Sequence, residues 1–243
     1  KEPLLFSKVG HVLDSIKNIA SLLSIDRGAL NITSTPKGLV AGLVTLHNDK
    51  TQTFVDCSIL ESAGFSIPGD LKQIESLSID ASSCDFILIV EKDAVFNKLI
   101  QERIWERYPC VVVTARGFPD LPTRAFLNRL ASTGVQDTCK IYILVDWNPS
   151  GLWIFSTYVT GGASNTNESK RYALPNAIFL GVSHEDILAA GKVFTAKHTK
   201  REARDIANIL RRKRGPLYST FKTELEQMHA LGRKCEIEGL YAS

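Results

Sequence analysis

The sequence predicts an α/β fold. A mainly parallel central sheet flanked by helices follows an N-terminal helix and β segment and precedes a helical C-terminal extension. Three observations predict this. Asp85 to Val90, Cys110 to Val113 and Ile141 to Val145 are apolar runs without polar alternation, as strands covered on both faces should be. Two segments with helical spacing separate them, Lys92 to Tyr108 (Val95, Phe96, Leu99, Ile100 and Trp105) and Asp120 to Ser132 (Phe126, Leu127 and Leu130). The order strand, helix, strand, helix, strand implies parallel pairing through right-handed crossovers.

Before this core, Val9, Val12, Leu13, Ile16, Ile19, Ala20 and Leu23 recur at helical spacing, so Ser7 to Ser24 reads as an amphipathic helix. Ala29 to Ser34, Gly38 to His47 and Gln52 to Val55 are β-like, with turns at Thr35-Pro-Lys-Gly38 and Asn48-Asp-Lys50. Gly64 to Asp70 reads as a loop. After Gly151 the pattern is less regular. Thr160 to Lys170 is a polar loop rich in Gly, Ser and Asn. Ser183 to Asp186 looks like a helix start, and Lys200 to Arg214 and Leu217 to Gly232 are helices divided by Gly215-Pro216.

Hydrophobic residues make up 44% and charged residues 23% of 243, enough for a real core in one large domain. A net charge of +3 does not by itself demand a nucleic-acid partner, so the distribution of charge matters more than its sum. Cys57, Cys84, Cys110, Cys139 and Cys235 are odd in number and never in a C-x-x-C pair, which argues against a disulfide framework or a structural zinc site. There is no signal peptide, and apolar runs such as Phe86 to Val90 are strand-sized, so no membrane association is expected. The chain opens on Lys1-Glu-Pro3 without a start methionine, and functional residues are expected outside it.

In open α/β sheets, ligands gather beyond the carboxyl ends of the strands. Glu91 follows the first apolar run directly. Asp146 follows the third, with Asn148 two residues on. All three offer oxygen to a hard cation such as Mg²⁺, which can hold a phosphodiester and stabilise charge as its bond breaks. The bland alternative is that such residues cap the following helices. No phosphate-binding G-x-x-x-x-G-K-[ST], no G-x-S-x-G elbow and no H-E-x-x-H is present. Lys192 to Arg214 holds nine basic residues, Arg201 among them, against Glu202 and Asp205. It is either a solvated helix face or a phosphate-facing surface. Lys37 lies on a turn, and Arg116 and Phe118 lie just past the second strand, where they could meet phosphate and base or sugar. For Phe118 the alternative is a buried loop anchor.

Taken together, these residues resemble a known family. Val90-Glu-Lys-Asp-Ala-Val-Phe96 resembles the first Toprim motif of topoisomerase VI A subunits and the eukaryotic meiotic double-strand-break transesterases. Val113 to Arg124 and Leu144-Val-Asp-Trp-Asn-Pro-Ser-Gly151 resemble their second block and their D-x-D-P-x-G block. Ser34 to Leu39 with Gly42, Ile67-Pro68, Leu180-Gly181, Glu224-Leu225 and Glu236-Ile-Glu238 agree, so the likeness runs over nearly the whole chain.

The resemblance implies a Toprim domain that supplies metal and a separate winged-helix domain carrying the tyrosine that attacks DNA. It divides the chain into a linker helix and β segment (1–80), a Toprim core (81–160) and the C-terminal part with its helical extension (161–243). It implies Mg²⁺ held by Glu91, Asp146 and Asn148, and, with the pattern of basic residues above, DNA contact is expected through Lys37, Arg116, Phe118, Arg124 and Arg201. The expected partners, in the nucleus, are double-stranded DNA, another copy of the A-type protein, and a topoisomerase VI B-like subunit. The family's tyrosine lies just before the segment matching Leu5-Phe6, and none of the chain's six tyrosines matches its motif, so this chain alone is expected not to cleave. Two positions depart from the pattern. Asn148 replaces the second acid, and Arg116 stands where a lysine is usual. Two other readings remain open: a DNA-binding and assembly module with a weak metal site, and a different phosphotransfer enzyme reusing the acids.

Overall fold

The computed structural model describes residues 8–25, 29–33, 35–48, 51–60, 64–132, 139–162, 170–190 and 195–238. Its centre is a six-stranded sheet in the order β4-β1-β7-β6-β8-β9. These strands are β1 (Leu39–Gly42), β4 (Phe65–Ser66), β6 (Phe86–Val90), β7 (Cys110–Thr114), β8 (Lys140–Val145) and β9 (Ile178–Gly181). β7, β6, β8 and β9 run parallel, and β1 lies antiparallel against β7 with Leu39 opposite Thr114. The three apolar runs of the sequence are thus adjacent strands, with the first in the middle. β7 is buried throughout, and Ile87, Ile89 and Val90 of β6 are fully enclosed. β8 departs from expectation: Ile141, Tyr142 and Leu144 are only half-buried, because its outer neighbour β9 is a partly exposed edge strand.

Helices α3 (Asp93–Gln101) and α4 (Leu121–Ser132) make the crossovers. The expected helix from Lys92 to Tyr108 stops early. Arg103 takes a left-handed backbone (φ 47°), and only a short 3-10 turn, Ile104–Glu106, follows. A second sheet orders β3 (Thr53–Asp56), β2 (Thr45–Asn48) and β5 (Leu77–Asp80). The expected single run from Gly38 to His47 is therefore two strands in two sheets. The break is at Gly42 (φ 97°), where a Cβ would lie 2.5 Å from the Cys110 carbonyl oxygen. Residues 29–33 form turns rather than a strand, and Ser34 lies outside the described residues.

The amphipathic α1 (Val9–Leu23) forms as expected, and the loop before α2 (Leu71–Ser76) contains the short β4. The predicted polar loop reaches into 163–169, outside the described residues. Beyond it come α6 (His184–Ala190), β10 (Thr195–Lys197), α7 (Lys200–Arg212), α8 (Pro216–Leu231) and β11 (Arg233–Cys235). Thr199 and Glu202 form a reciprocal capping box on α7. The sequence gives no separate signal for α5 (Pro149–Thr160), which follows the third core strand. Among the described residues, no helix is long and apolar enough to cross a membrane.

Candidate metal centre

Parallel register brings the ends of β6 and β8 level, with Val90 opposite Leu144. Glu91 and Asp146 therefore leave the sheet side by side. The Asp146 backbone N–H donates to Glu91 Oε2 at 3.0 Å, and the Glu91 N–H donates to the Leu144 carbonyl at 3.0 Å. Burial raises the Glu91 carboxyl to about 7, partly opposed by the Asp146 N–H and helped by the Asp146 charge. Burial also raises Asp146, against the Ile237 N–H and the Lys92 ammonium, which favour its charged form. A buried and a half-buried carboxylate side by side on one sheet edge have reason to attract a cation.

The C-terminal segment closes over them. Trp147 and Cys235 exchange backbone hydrogen bonds of 2.9 and 3.0 Å, forming an isolated bridge beside β11. That bridge brings the Ile237 N–H to 2.9 Å from Asp146 Oδ1. The Trp147 indole is fully buried and donates to Glu224 of α8, whose other oxygen lies 3.3 Å from His184 Nδ1. Lys92 reaches Asp146, Glu236 and Glu238 together. Its ammonium is lowered by burial but raised more by Glu238, Glu236 and Asp146, so it stays charged. Lys92, Trp147, Glu224, Glu236 and Glu238 stand in the motifs quoted above, yet nothing in their spacing marks them as neighbours of the acids.

Asn148 is brought to the same place but is differently employed. Its Oδ1 accepts the Gly151 N–H at 2.8 Å as the N-cap of α5, and its Nδ2 faces Asp146 Oδ2 at 3.4 Å. The oxygen expected to meet a metal thus already accepts one N–H from the helix end. Gly151 has to be glycine here, since a Cβ would lie 2.2 Å from the Asp146 carbonyl oxygen. Asn148→Asp keeps an N-cap of equal quality but sets a second carboxylate against Asp146. Without metal, the melting temperature is expected to fall. Mg²⁺ affinity is expected to rise several-fold, because a full charge replaces a dipole. Calorimetric titration beside thermal melting checks both, and unchanged affinity would remove position 148 from the centre.

The donor set fits Mg²⁺. That ion is usually bound through one or two carboxylates and keeps several waters. Glu91 and Asp146 would supply those two. The described residues contain no group of three or more His, Cys, Asp or Glu arranged around a common metal position. The buried thiols are poor alternatives, since burial pushes Cys57, Cys84 and Cys110 up to about 12.

The residues expected to contact DNA divide. Arg116 and Gly117 both adopt positive φ, and the Gly117 N–H donates to the Glu91 carbonyl at 2.9 Å, folding this loop onto the end of β6. Arg116 Nε lies 3.0 Å from Asp93 Oδ1. Lys37 Nζ donates to the Phe118 carbonyl at 2.8 Å, because β1 starts opposite the end of β7. Phe118 is 51% exposed, so it is no core anchor. Lys37, Arg116 and Phe118 therefore share the edge that holds the acids. Arg124 differs in being buried in α4, where it donates to the Gly161 carbonyl at 2.9 Å. Arg201, 85% exposed, pairs with Asp205 along α7. Its link to the acids is indirect, through its neighbour Glu202, which binds Lys234, which in turn reaches Glu236.

A mainly parallel sheet with acids at its carboxyl edge fits a Toprim-type α/β protein. Residues 86–243 match the TOP6A-Spo11 Toprim family model, which describes the Toprim domain of Spo11 and of the A subunit of topoisomerase 6, and the chain belongs to this family. It is 36% identical over 242 residues to the meiotic recombination protein SPO11-2 of Oryza sativa subsp. indica, covering 100% of this chain and 61% of that protein. It is 33% identical over 240 residues to the meiotic recombination protein SPO11 of Mus musculus, covering 97% and 58%. It is also 34% identical over 172 residues to the A3 subunit of DNA topoisomerase 6 from Oryza sativa subsp. indica, covering 71% and 37%. The chain spans about three-fifths of the length of the first of these relatives.

Proposed function

We propose that this chain supplies the Mg²⁺ centre and part of the DNA-facing surface of a topoisomerase VI A-like protein. That protein makes DNA double-strand breaks by tyrosine transesterification and initiates meiotic recombination in the nucleus. It acts on double-stranded DNA as paired A-type subunits with a topoisomerase VI B-like partner. One observation carries this reading: Glu91 and Asp146 emerge side by side from adjacent parallel strands, beside a loop that presents Arg116 and Phe118. Mg²⁺ held by these carboxylates would supply charge stabilisation at a phosphodiester oxygen. The attacking tyrosine belongs outside this sequence. Tyr158 and Tyr172 are buried and unsuited to the role.

A second reading, a DNA-binding and assembly module with a weak metal site, draws support from Asn148, whose oxygen caps a helix. Mg²⁺ titration with and without duplex DNA separates the two. The transesterase reading expects Mg²⁺ affinity that tightens with DNA, and saturation-free titrations in both conditions favour the assembly module. Hydrolysis of nucleotides without DNA would point instead to a phosphotransfer enzyme.

DNA contact has its own test. Lys37→Ala in the full-length protein is expected to weaken binding to all duplexes alike and to reduce the salt slope by about 1, as loss of one phosphate contact should. The Lys37 ammonium has three donors and spends one on Phe118, which leaves others for phosphate. Phe118→Ala is expected to shift where breaks fall while changing stability by no more than about 0.5 kcal/mol, since the ring is exposed. Mapped break positions beside thermal melting check this, and an unchanged map removes Phe118 from the interface.

A further inference from the structure

Lys92 Nζ lies 3.2 Å from Asp146 Oδ2 and 3.0 Å from Glu236 Oε2, and it also bonds Glu238. Only 3% of the Asp146 side chain is exposed, against 50% for Glu236 and 43% for Glu238. The ammonium therefore bridges one buried carboxylate and two surface ones. Asp146 Oδ1 accepts the Ile237 N–H at 2.9 Å, so Oδ2 is the oxygen turned toward the lysine. A cation approaching Oδ2 meets a positive charge already there.

We propose that Lys92 is a resident counter-ion of the metal centre. A divalent cation displaces its ammonium from Asp146, and Glu236 and Glu238 retain it on the solvent side. This rests on Glu91 and Asp146 being the metal ligands. The charges give the reason. Glu91 and Asp146 carry two negative charges when ionised, Lys92 offsets one, and Asn148 adds none. A dication and an ammonium a few ångströms apart repel more strongly in a protein interior than in water. Lysine suits the exchange, because its charge is a compact, hydrated point on a flexible four-carbon stem. Glu236 and Glu238 are already bonded to it, so the ammonium gives up only one of three carboxylates when it yields Asp146. Lys92 is thus a positioning residue that sets how readily the centre accepts metal.

The test is Mg²⁺ titrated calorimetrically into the intact protein. Lys92→Met is expected to bind Mg²⁺ roughly tenfold more tightly, because a like charge is removed. Lys92→Gln, which keeps a polar side chain, should shift the same way and covers the case in which Lys92→Met fails to fold. The paired change Glu236→Gln and Glu238→Gln is expected to weaken Mg²⁺ about threefold or more, since the lysine is then left on Asp146. In the Lys92→Met background the same pair should change affinity much less, and that non-additivity identifies the lysine as the intermediary. Equal weakening in both backgrounds would mean that the glutamates act on the metal directly, and would overturn the proposal. So would affinity no tighter than native in both Lys92 variants. Glu91→Gln keeps the two ideas apart. If it loses Mg²⁺ while the Lys92 variants bind as native, only the counter-ion role falls. If it binds as native, the metal centre falls, and the counter-ion role with it.

Discussion

Glu91→Ala is expected to weaken Mg²⁺ binding by more than about 100-fold. Losing even an outer partner of a metal ligand typically costs about 10–100-fold, and Glu91 is one of two carboxylates in the centre. The alanine variant also removes the acceptor of the Asp146 N–H, now 3.0 Å from Glu91 Oε2. A buried donor left unsatisfied costs about 1–3 kcal/mol. Glu91→Gln separates these effects, because its amide oxygen can still accept that N–H while the charge is gone. Both variants should lose Mg²⁺, and only Glu91→Ala should lose stability as well. Calorimetric titration and denaturant unfolding read the two quantities independently. Native Mg²⁺ affinity in both variants would move the metal away from the ends of β6 and β8.

Trp147→Ala is expected to destabilise the fold by about 3–5 kcal/mol, the usual range for emptying a large aromatic site. The indole is fully buried, and its N–H donates to Glu224. Trp147→Phe fills most of the space but drops the donor to a carboxylate, a bond worth about 1.5–3 kcal/mol. It should therefore lose less than the alanine variant. The C-terminal segment gives a second readout: hydrogen exchange at Cys235 and Ile237 should accelerate in Trp147→Ala, because their bonds to Trp147 and Asp146 hold that segment in place. Unfolding with the native midpoint and native exchange would show that the segment is anchored elsewhere.

Much of the sheet and half of the site are legible in the sequence for the same reason. A strand enclosed in a parallel sheet needs an unbroken apolar run, and the residue ending that run stands at the ligand-binding edge. The placement of Glu91 and Asp146 at that edge follows from this rule alone. Other features leave no such trace. α5 is apolar nearly all round, from Leu152 through Phe155 to Tyr158, so it has no contrasting polar face to betray a helical period. Asn148 in Asn-Pro-Ser-Gly satisfies two patterns at once, metal donor and helix cap, and only the Gly151 N–H shows that the cap is made. Arg124 reads as a surface charge until α4 turns it inward to the Gly161 carbonyl. The ion pairs of Lys92 with Glu236 and Glu238 span 144 and 146 residues, a distance over which side-chain spacing carries no information.

That long span has a consequence for how the centre comes into being. During synthesis Asp146 emerges 91 residues ahead of Ile237, whose N–H it will accept. At roughly 5–20 residues per second, this leaves an interval of about 5 to 18 s. Through it, β6, β7 and β8 are available to pair while Asp146 has neither the Ile237 N–H nor the glutamates that share Lys92. The nascent chain thus owns its two acids before it owns the clasp that shapes them, and the ribosome's pace sets how long the edge bearing them stays open to the surrounding solution.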